Sequence, residues 1–96
     1  MSNEKNRLIA RTYRVQGRVQ GVGFRYFVQQ NADALGIRGF VRNEDDGAVF
    51  VYAVGDPAAI ERLAGRIRTG PRQSEVRTVE EKEAAIEKYS SFRIEA

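Results

Sequence analysis

Residues 37–57, "IRGFVRNEDDGAVFVYAVGDP", decide the fold of this chain. Ile37 to Asn43 and the run "AVFVYAV", Ala48 to Val54, are rich in β-branched and aromatic residues. Such side chains pack well on a pleated surface, so both runs read as strands. Between them stand Glu44, Asp45, Asp46 and Gly47, a short polar turn with a glycine where a positive φ is needed. A β-hairpin follows. It closes at Asp56-Pro57. The aspartate can accept from free N–H groups of a first helical turn, and proline has no N–H to leave unpaired there, so the pair predicts an N-cap and N1.

Working outward from the hairpin, Ile60, Leu63, Ala64 and Ile67 recur at helical spacing until Gly70-Pro71 stops them. Upstream, Phe24, Phe27, Val28 and Leu35 trace one face of another helix, which ends at Gly36, a residue suited to the left-handed C′ position. Residues 8–16, "LIARTYRVQ", place Ile9, Tyr13 and Val15 on one parity and predict a first strand ending at Gly17. The tail holds a fourth strand around Val76 and Val79 in "EVRTVEE", and a short fifth in "SSFRIEA". "KEAAIEK" between them fits a loop or a helical turn. The order β-α-β-β-α-β with an extra terminal strand predicts an α+β, ferredoxin-like split-βαβ sandwich, two helices on one face of a mainly antiparallel sheet. We expect a disordered segment at residues 1–7 and one domain over residues 8–96.

With 96 residues the chain suits one core, and 42% hydrophobic with 30% charged residues is a globular composition. The absence of cysteine and histidine removes disulfides, thiolate nucleophiles and the usual neutral-pH proton shuttle. No apolar run is long enough to span a membrane and "MSNEKNRLIA" lacks a secretory h-region, so a cytoplasmic protein is expected. The net charge of +3 is unevenly spread: residues 1–42 carry eight basic and two acidic side chains, residues 43–96 eight and eleven. That asymmetry favours an anionic ligand near the N-terminal half, and a solvated basic face is the plainer alternative.

The segment "GRVQGVGFR", Gly17 to Arg25, lies between the first strand and the first helix. Gly17, Gly21 and Gly23 let successive backbone N–H groups face one concavity at a helix N-terminus, where the positive dipole end favours an anion such as phosphate. Arg25, in the first turn, can add a bidentate grip. The loop lacks the Gly-Lys-Ser/Thr ending of the nucleotide P-loop, and its glycines are not spaced G-x-G-x-x-G. Tight turning and close packing, with Arg25 a surface charge, is the structural alternative.

"VQGRVQGVGFRYF" followed by "GIRGFVRNEDDGAVFVYAVG" resembles the two signature blocks of the acylphosphatase family, and the similarity runs through "GDPAAIERLAGRIRTGP" to "YSSFRI", covering roughly residues 8–94. The resemblance implies an enzyme that hydrolyses carboxyl-phosphate anhydrides without metal or cofactor. It implies that the loop residues Arg18, Val19, Gln20, Gly21, Val22 and Gly23 bind phosphoryl oxygens through their amides. It further implies that Arg25 grips the phosphate and that Asn43 positions the attacking water. Taken alone, Asn43 reads more readily as a hairpin-edge residue capping the Glu44-to-Gly47 turn. The expected partners are a small acyl phosphate and, as competing ligands, inorganic phosphate or sulfate; no nucleic acid, no membrane and a monomeric state are expected. An acyl phosphate has a good carboxylate leaving group, so positioning and charge stabilisation suffice and the missing histidine is explained.

One departure from the family pattern is the acidic turn Glu44-Asp45-Asp46, which would oppose a dianion if Glu44 faced the site and is harmless if it points outward. The chain also ends Ile94-Glu95-Ala96 where an aromatic or basic ending is usual in the family. A rival reading is a nucleic-acid-binding module. "RGFV", Arg38 to Val41, resembles part of an RNA-recognition signature, and Phe40, Phe50 and Tyr52 could form a stacking platform on an open sheet face. The longer aromatic motif of those domains sits on the third strand, here it sits on the second. A third reading, an accessory module of a larger maturation protein, would bring zinc-binding cysteines that this sequence lacks.

Overall fold

A computed structural model describes residues 7–96. Residues 1–6, most of the segment expected to be disordered, lie outside the described residues. The elements are β1 (Ile9–Arg18), α1 (Phe24–Ala34), β2 (Arg38–Asn43), β3 (Val49–Gly55), α2 (Pro57–Thr69), β4 (Glu75–Ala84) and β5 (Phe92–Glu95). They form one five-stranded sheet in the order β4-β1-β3-β2-β5, in which β5 runs parallel to β2 and the other pairs are antiparallel. The expected ferredoxin-like α+β architecture is present.

Side chains alternate across a strand, and that alternation divides the apolar residues into two clusters. Tyr13, Val15, Val41, Val49 and Val51 face the helices and join Phe24, Val28, Ile60, Leu63 and Ile67 in the main core. Ala10, Tyr52 and Val54 point the other way and pack with Phe40, Phe50 and Tyr89. On this second face Phe40 stacks on Tyr52 with ring centres 5.7 Å apart, and the Arg42 guanidinium lies 5.3 Å from the Phe40 ring centre and 4.9 Å from that of Phe50. The aromatic row considered as a stacking platform is thus engaged in packing within the protein.

The hairpin is as expected, with Glu44 N–H donating to the Ala48 carbonyl at 2.8 Å and Gly47 taking a φ of 98°. Asp56 caps α2 by accepting from Ala59 N–H at 2.9 Å, and Pro57 begins the helix. Two strands run further than expected. β1 continues to Arg18 through a bulge between Gln16 and Gly17, and β4 reaches Ala84 because its backbone pairs with β1 as far as Ala10. β4 shows little apolar alternation because it is an edge strand with mostly exposed side chains. Residues 85–91 form a connection without helix, pinned by the Tyr52 hydroxyl, which donates to the Ala85 carbonyl at 2.5 Å and accepts from Glu87 N–H at 2.8 Å.

Tyr13 is fully buried in the main core, with its hydroxyl 3.4 Å from the Glu81 carboxylate. Burial, then the neighbouring Glu81 charge, pushes its hydroxyl above the usual tyrosine range.

Candidate functional site

Residues 19–23 connect β1 to α1, and their apolar and glycine positions do different things. Val19 is buried and Val22 packs against the core, so both anchor the loop. Gly21 and Gly23 are exposed and take φ values of 76° and 78°, the left-handed region where a side chain is unfavourable. Gly23 is the N-cap of α1. No side chain caps this helix, and its first turn carries no acidic residue. The first N–H groups of a helix lack intrahelical acceptors, so the start of α1 presents donors and a positive dipole end to whatever lies beyond it.

What lies beyond it is a cavity of about 190 Å³. Val19, Gly21, Gly23 and Arg25 line it from the loop and the helix, and Asn43 lines it from the end of β2. Arg25 Nη1 donates to the Glu95 carbonyl at 3.1 Å, which holds the guanidinium from the β5 side. Asn43 shares the inward parity of Val41, so it takes a core-facing position at the strand end. Its Oδ1 is buried and has no hydrogen-bond partner, the one such side-chain atom among the described residues. An unpaired buried acceptor costs about 1–3 kcal/mol. The turn beside it uses other groups: Asp46 Oδ1 accepts from Ala48 N–H at 3.0 Å, and the Asn43 amide takes no part in closing the hairpin.

The structure therefore brings together Val19, Gly21, Gly23, Arg25 and Asn43. Arg18, Gln20 and Val22, which sequence reading grouped with them, do not line the cavity. Arg18 ends β1 with an exposed side chain, Val22 faces the core, and the Gln20 amide turns to the β2–β3 hairpin, where Nε2 donates to Glu44 O and Ala48 O at 2.9 Å each. Gly17 also separates from the other two glycines. It lies within β1 against β4, where an added Cβ would collide with the Glu75 carbonyl oxygen. Its function is close strand approach.

Tyr26 and Ile94 were not singled out as site residues, yet both line the cavity, and they are exposed large hydrophobics. The available signal was an aromatic residue lying off the apolar stripe of α1. Glu44 pairs with Arg42 at 2.8 Å and Asp46 pairs with Arg14. Glu44 does not line the cavity.

A wider concavity of about 910 Å³ opens beyond the other end of α1, bordered by Leu8, Gly36, Ile86 and Tyr89. None of its described lining residues carries an unpartnered buried polar side-chain atom, in contrast to Asn43 in the smaller cavity. Among the described residues no group of three or more acidic side chains is placed to hold a metal ion, and no helix is long and apolar enough to cross a membrane.

Fold and cavity together define a ferredoxin-like α+β protein that presents an open helix N-terminus, an arginine and a buried amide to one small ligand space. The acylphosphatase family model matches residues 11–94. An acylphosphatase of Solibacter usitatus is 58% identical over 85 residues, 88% of each chain. Among solved structures, an acylphosphatase from Coxiella burnetii superposes with a TM-score of 0.91 at 34% identity, covering 99% of this chain and 100% of that one. The acylphosphatase from Bacillus subtilis gives 0.89 at 37% identity, covering 92% and 99%. The chain is an enzyme of the acylphosphatase family.

Proposed function

We propose that the enzyme cleaves the carboxyl-phosphate anhydride of small acyl phosphates to a carboxylate and inorganic phosphate, with the phosphoryl group at the start of α1 and the attacking water at Asn43. One observation carries this: a single cavity is lined by an uncapped helix N-terminus, by Arg25 and by Asn43, whose Oδ1 is buried and has no partner. The first two favour a phosphoryl dianion. The third is an acceptor suited to one hydrogen of a water.

The steps balance without a protein proton shuttle. Loop amides and Arg25 hold the phosphoryl oxygens while Asn43 Oδ1 accepts from the water and aims its oxygen at phosphorus. As that P–O bond forms, the bond to the acyl oxygen breaks and the carboxylate leaves with its electron pair. A phosphoryl oxygen takes the proton that the water sheds. Catalysis rests on placement and on stabilising charge over the phosphoryl oxygens. The acyl group leaves the cavity past Tyr26 and Ile94, whose apolar surfaces form its mouth.

Inorganic phosphate and sulfate occupy the same cradle as competitive inhibitors. All the groups invoked come from one chain, so we assign the activity to a monomer, in the cytoplasm and free of metal. The test is release of inorganic phosphate from an aromatic acyl phosphate, run beside p-nitrophenyl phosphate and after thorough chelation. Rapid cleavage of the anhydride alone, unchanged by the chelator, is the expected outcome. Nucleic-acid binding in place of hydrolysis would instead support the rival reading.

A further inference from the structure

Among the described residues, the Gln20 side chain makes the hydrogen bonds that join the β1–α1 loop to the hairpin that carries Asn43. Its Nε2 donates both hydrogens, to Glu44 O and Ala48 O, each at 2.9 Å and more than twenty residues away in sequence. Those two carbonyls frame the neck of the hairpin. Glu44 O also accepts from Gly47 N–H at 3.2 Å, and Ala48 O from Glu44 N–H at 2.8 Å. Each oxygen has two lone pairs, so hairpin and loop fill them jointly.

This arrangement bears directly on Asn43. The residue immediately precedes Glu44 and pairs across the ladder with Val49, the neighbour of Ala48. Gln20 thus grips the main chain of both strands one residue beyond the Asn43–Val49 rung, on its turn side. β1 is tied to the hairpin by its pairing with β3 and by the Arg14–Asp46 ion pair, and Gln20 extends that tie to the loop itself. A displacement of about 1 Å in a reacting geometry can cost on the order of a hundredfold in rate.

We infer that Gln20 is a positioning residue for hydrolysis, acting through Asn43: its bifurcated amide fixes the distance between the water-orienting group and the phosphoryl cradle. Its side chain does not line the cavity and touches no reacting atom. The inference rests on the role proposed above for Asn43.

Gln20→Met keeps the length of the side chain and removes both donors. The two carbonyls retain their hairpin donors, and Val19 and Val22 still anchor the loop, so the protein folds. The expected result is a fall in kcat of about tenfold or more, with the inhibition constant for inorganic phosphate changed less than about threefold. A double-mutant cycle then separates positioning from general structure. In the Asn43→Ala background the Gln20→Met change should lower kcat no further, because the group it positions is gone. Gln20→Glu, equal in shape and without donors, should reproduce the loss and covers the event that the methionine variant does not fold. Full kcat in either folded variant, or losses that multiply in the double variant, overturns the inference. If Asn43→Ala by itself keeps full kcat, the proposed water-orienting role fails; if Asn43→Ala is impaired and Gln20→Met is not, only the Gln20 assignment fails.

Discussion

The two helices of this fold begin in opposite ways. α2 starts at Asp56-Pro57, where the aspartate accepts from Ala59 N–H and satisfies the helix from within the chain. α1 starts at Gly23, with no side-chain cap and no acid in its first turn, facing a cavity that Arg25 and Asn43 also line, the latter with a buried Oδ1 that has no partner. Both helices pack on the same core and both follow a strand. The difference shows how one pattern serves two purposes. A helix start completed by its own residues is a structural joint, and one left incomplete offers free N–H donors, which the proposed function assigns to an anion.

The strongest way to break the comparison is to remove the side chains that complete the proposed anion site. Arg25→Ala should lower kcat/KM by about three orders of magnitude and weaken inhibition by phosphate, because in the proposed mechanism the guanidinium contacts the phosphoryl group before and during reaction. Asn43→Ala should lower kcat and kcat/KM together by about two orders of magnitude, ~3 kcal/mol, and leave KM and phosphate affinity nearly unchanged. Steady-state kinetics with phosphate as inhibitor, on protein shown by circular dichroism to be folded, separates the two. Near-full kcat in Asn43→Ala would make that residue structural.

A subtler change makes the first helix resemble the second. Gly23→Asp places a carboxylate at the α1 N-cap, where a Cβ meets nothing within 4 Å and the left-handed φ of 78° is one that aspartate tolerates better than most residues. At an effective dielectric of about 20, two unit charges about 6 Å apart repel by ~3 kcal/mol. Phosphate inhibition should therefore weaken by about tenfold to a hundredfold, read as a rise in its inhibition constant. Unchanged inhibition would remove the helix start from the binding site. The reciprocal variant, Asp56→Ala, deletes the self-made cap of α2 and should cost about 1 kcal/mol of stability in urea unfolding while kcat stays at its original value.

How legible each helix start was from sequence follows from how local its chemistry is. Asp56-Pro57 and the hairpin around Gly47 were readable because their bonds join residues close in sequence. Arg25 and Asn43 could be named through family resemblance, but their meeting in one cavity depends on β2 lying beside the β1–α1 loop. The Gln20 link was not legible at all, since its partners lie 24 and 28 residues away and nothing in "RVQGVGF" marks which way that amide turns. Gly17 was grouped with Gly21 and Gly23 because a glycine that clears a neighbouring strand and one that turns left-handed look the same in sequence. β4 was read too short because an edge strand keeps its pairing without an apolar face.

Buried side chains repeat the contrast between the helix starts, and the smallest expected effect lies there. Asn43 Oδ1 is buried without a partner, whereas the Tyr13 hydroxyl is buried beside Glu81 at 3.4 Å. Burial and the Glu81 charge raise the Tyr13 hydroxyl above its ordinary value near 10, so the folded state holds that proton more tightly than the unfolded chain does. The resulting contribution to stability is complete below the unfolded value and is lost as pH rises beyond it. Urea midpoints should consequently be independent of Tyr13 ionisation at neutral pH and fall above about pH 10 in the parent protein. Tyr13→Phe deletes the titrating group and should flatten that alkaline fall. At pH 7 it removes only a long hydrogen bond, which contributes about 1 kcal/mol or less. Activity per folded molecule should be untouched, because Tyr13 lies in the main core and does not line the cavity. A parent and a variant that lose stability in parallel above pH 10 would show that another group governs the alkaline limb. A fall in kcat in Tyr13→Phe would show that the contrast between completed and incomplete polar groups does not separate structure from function in this fold.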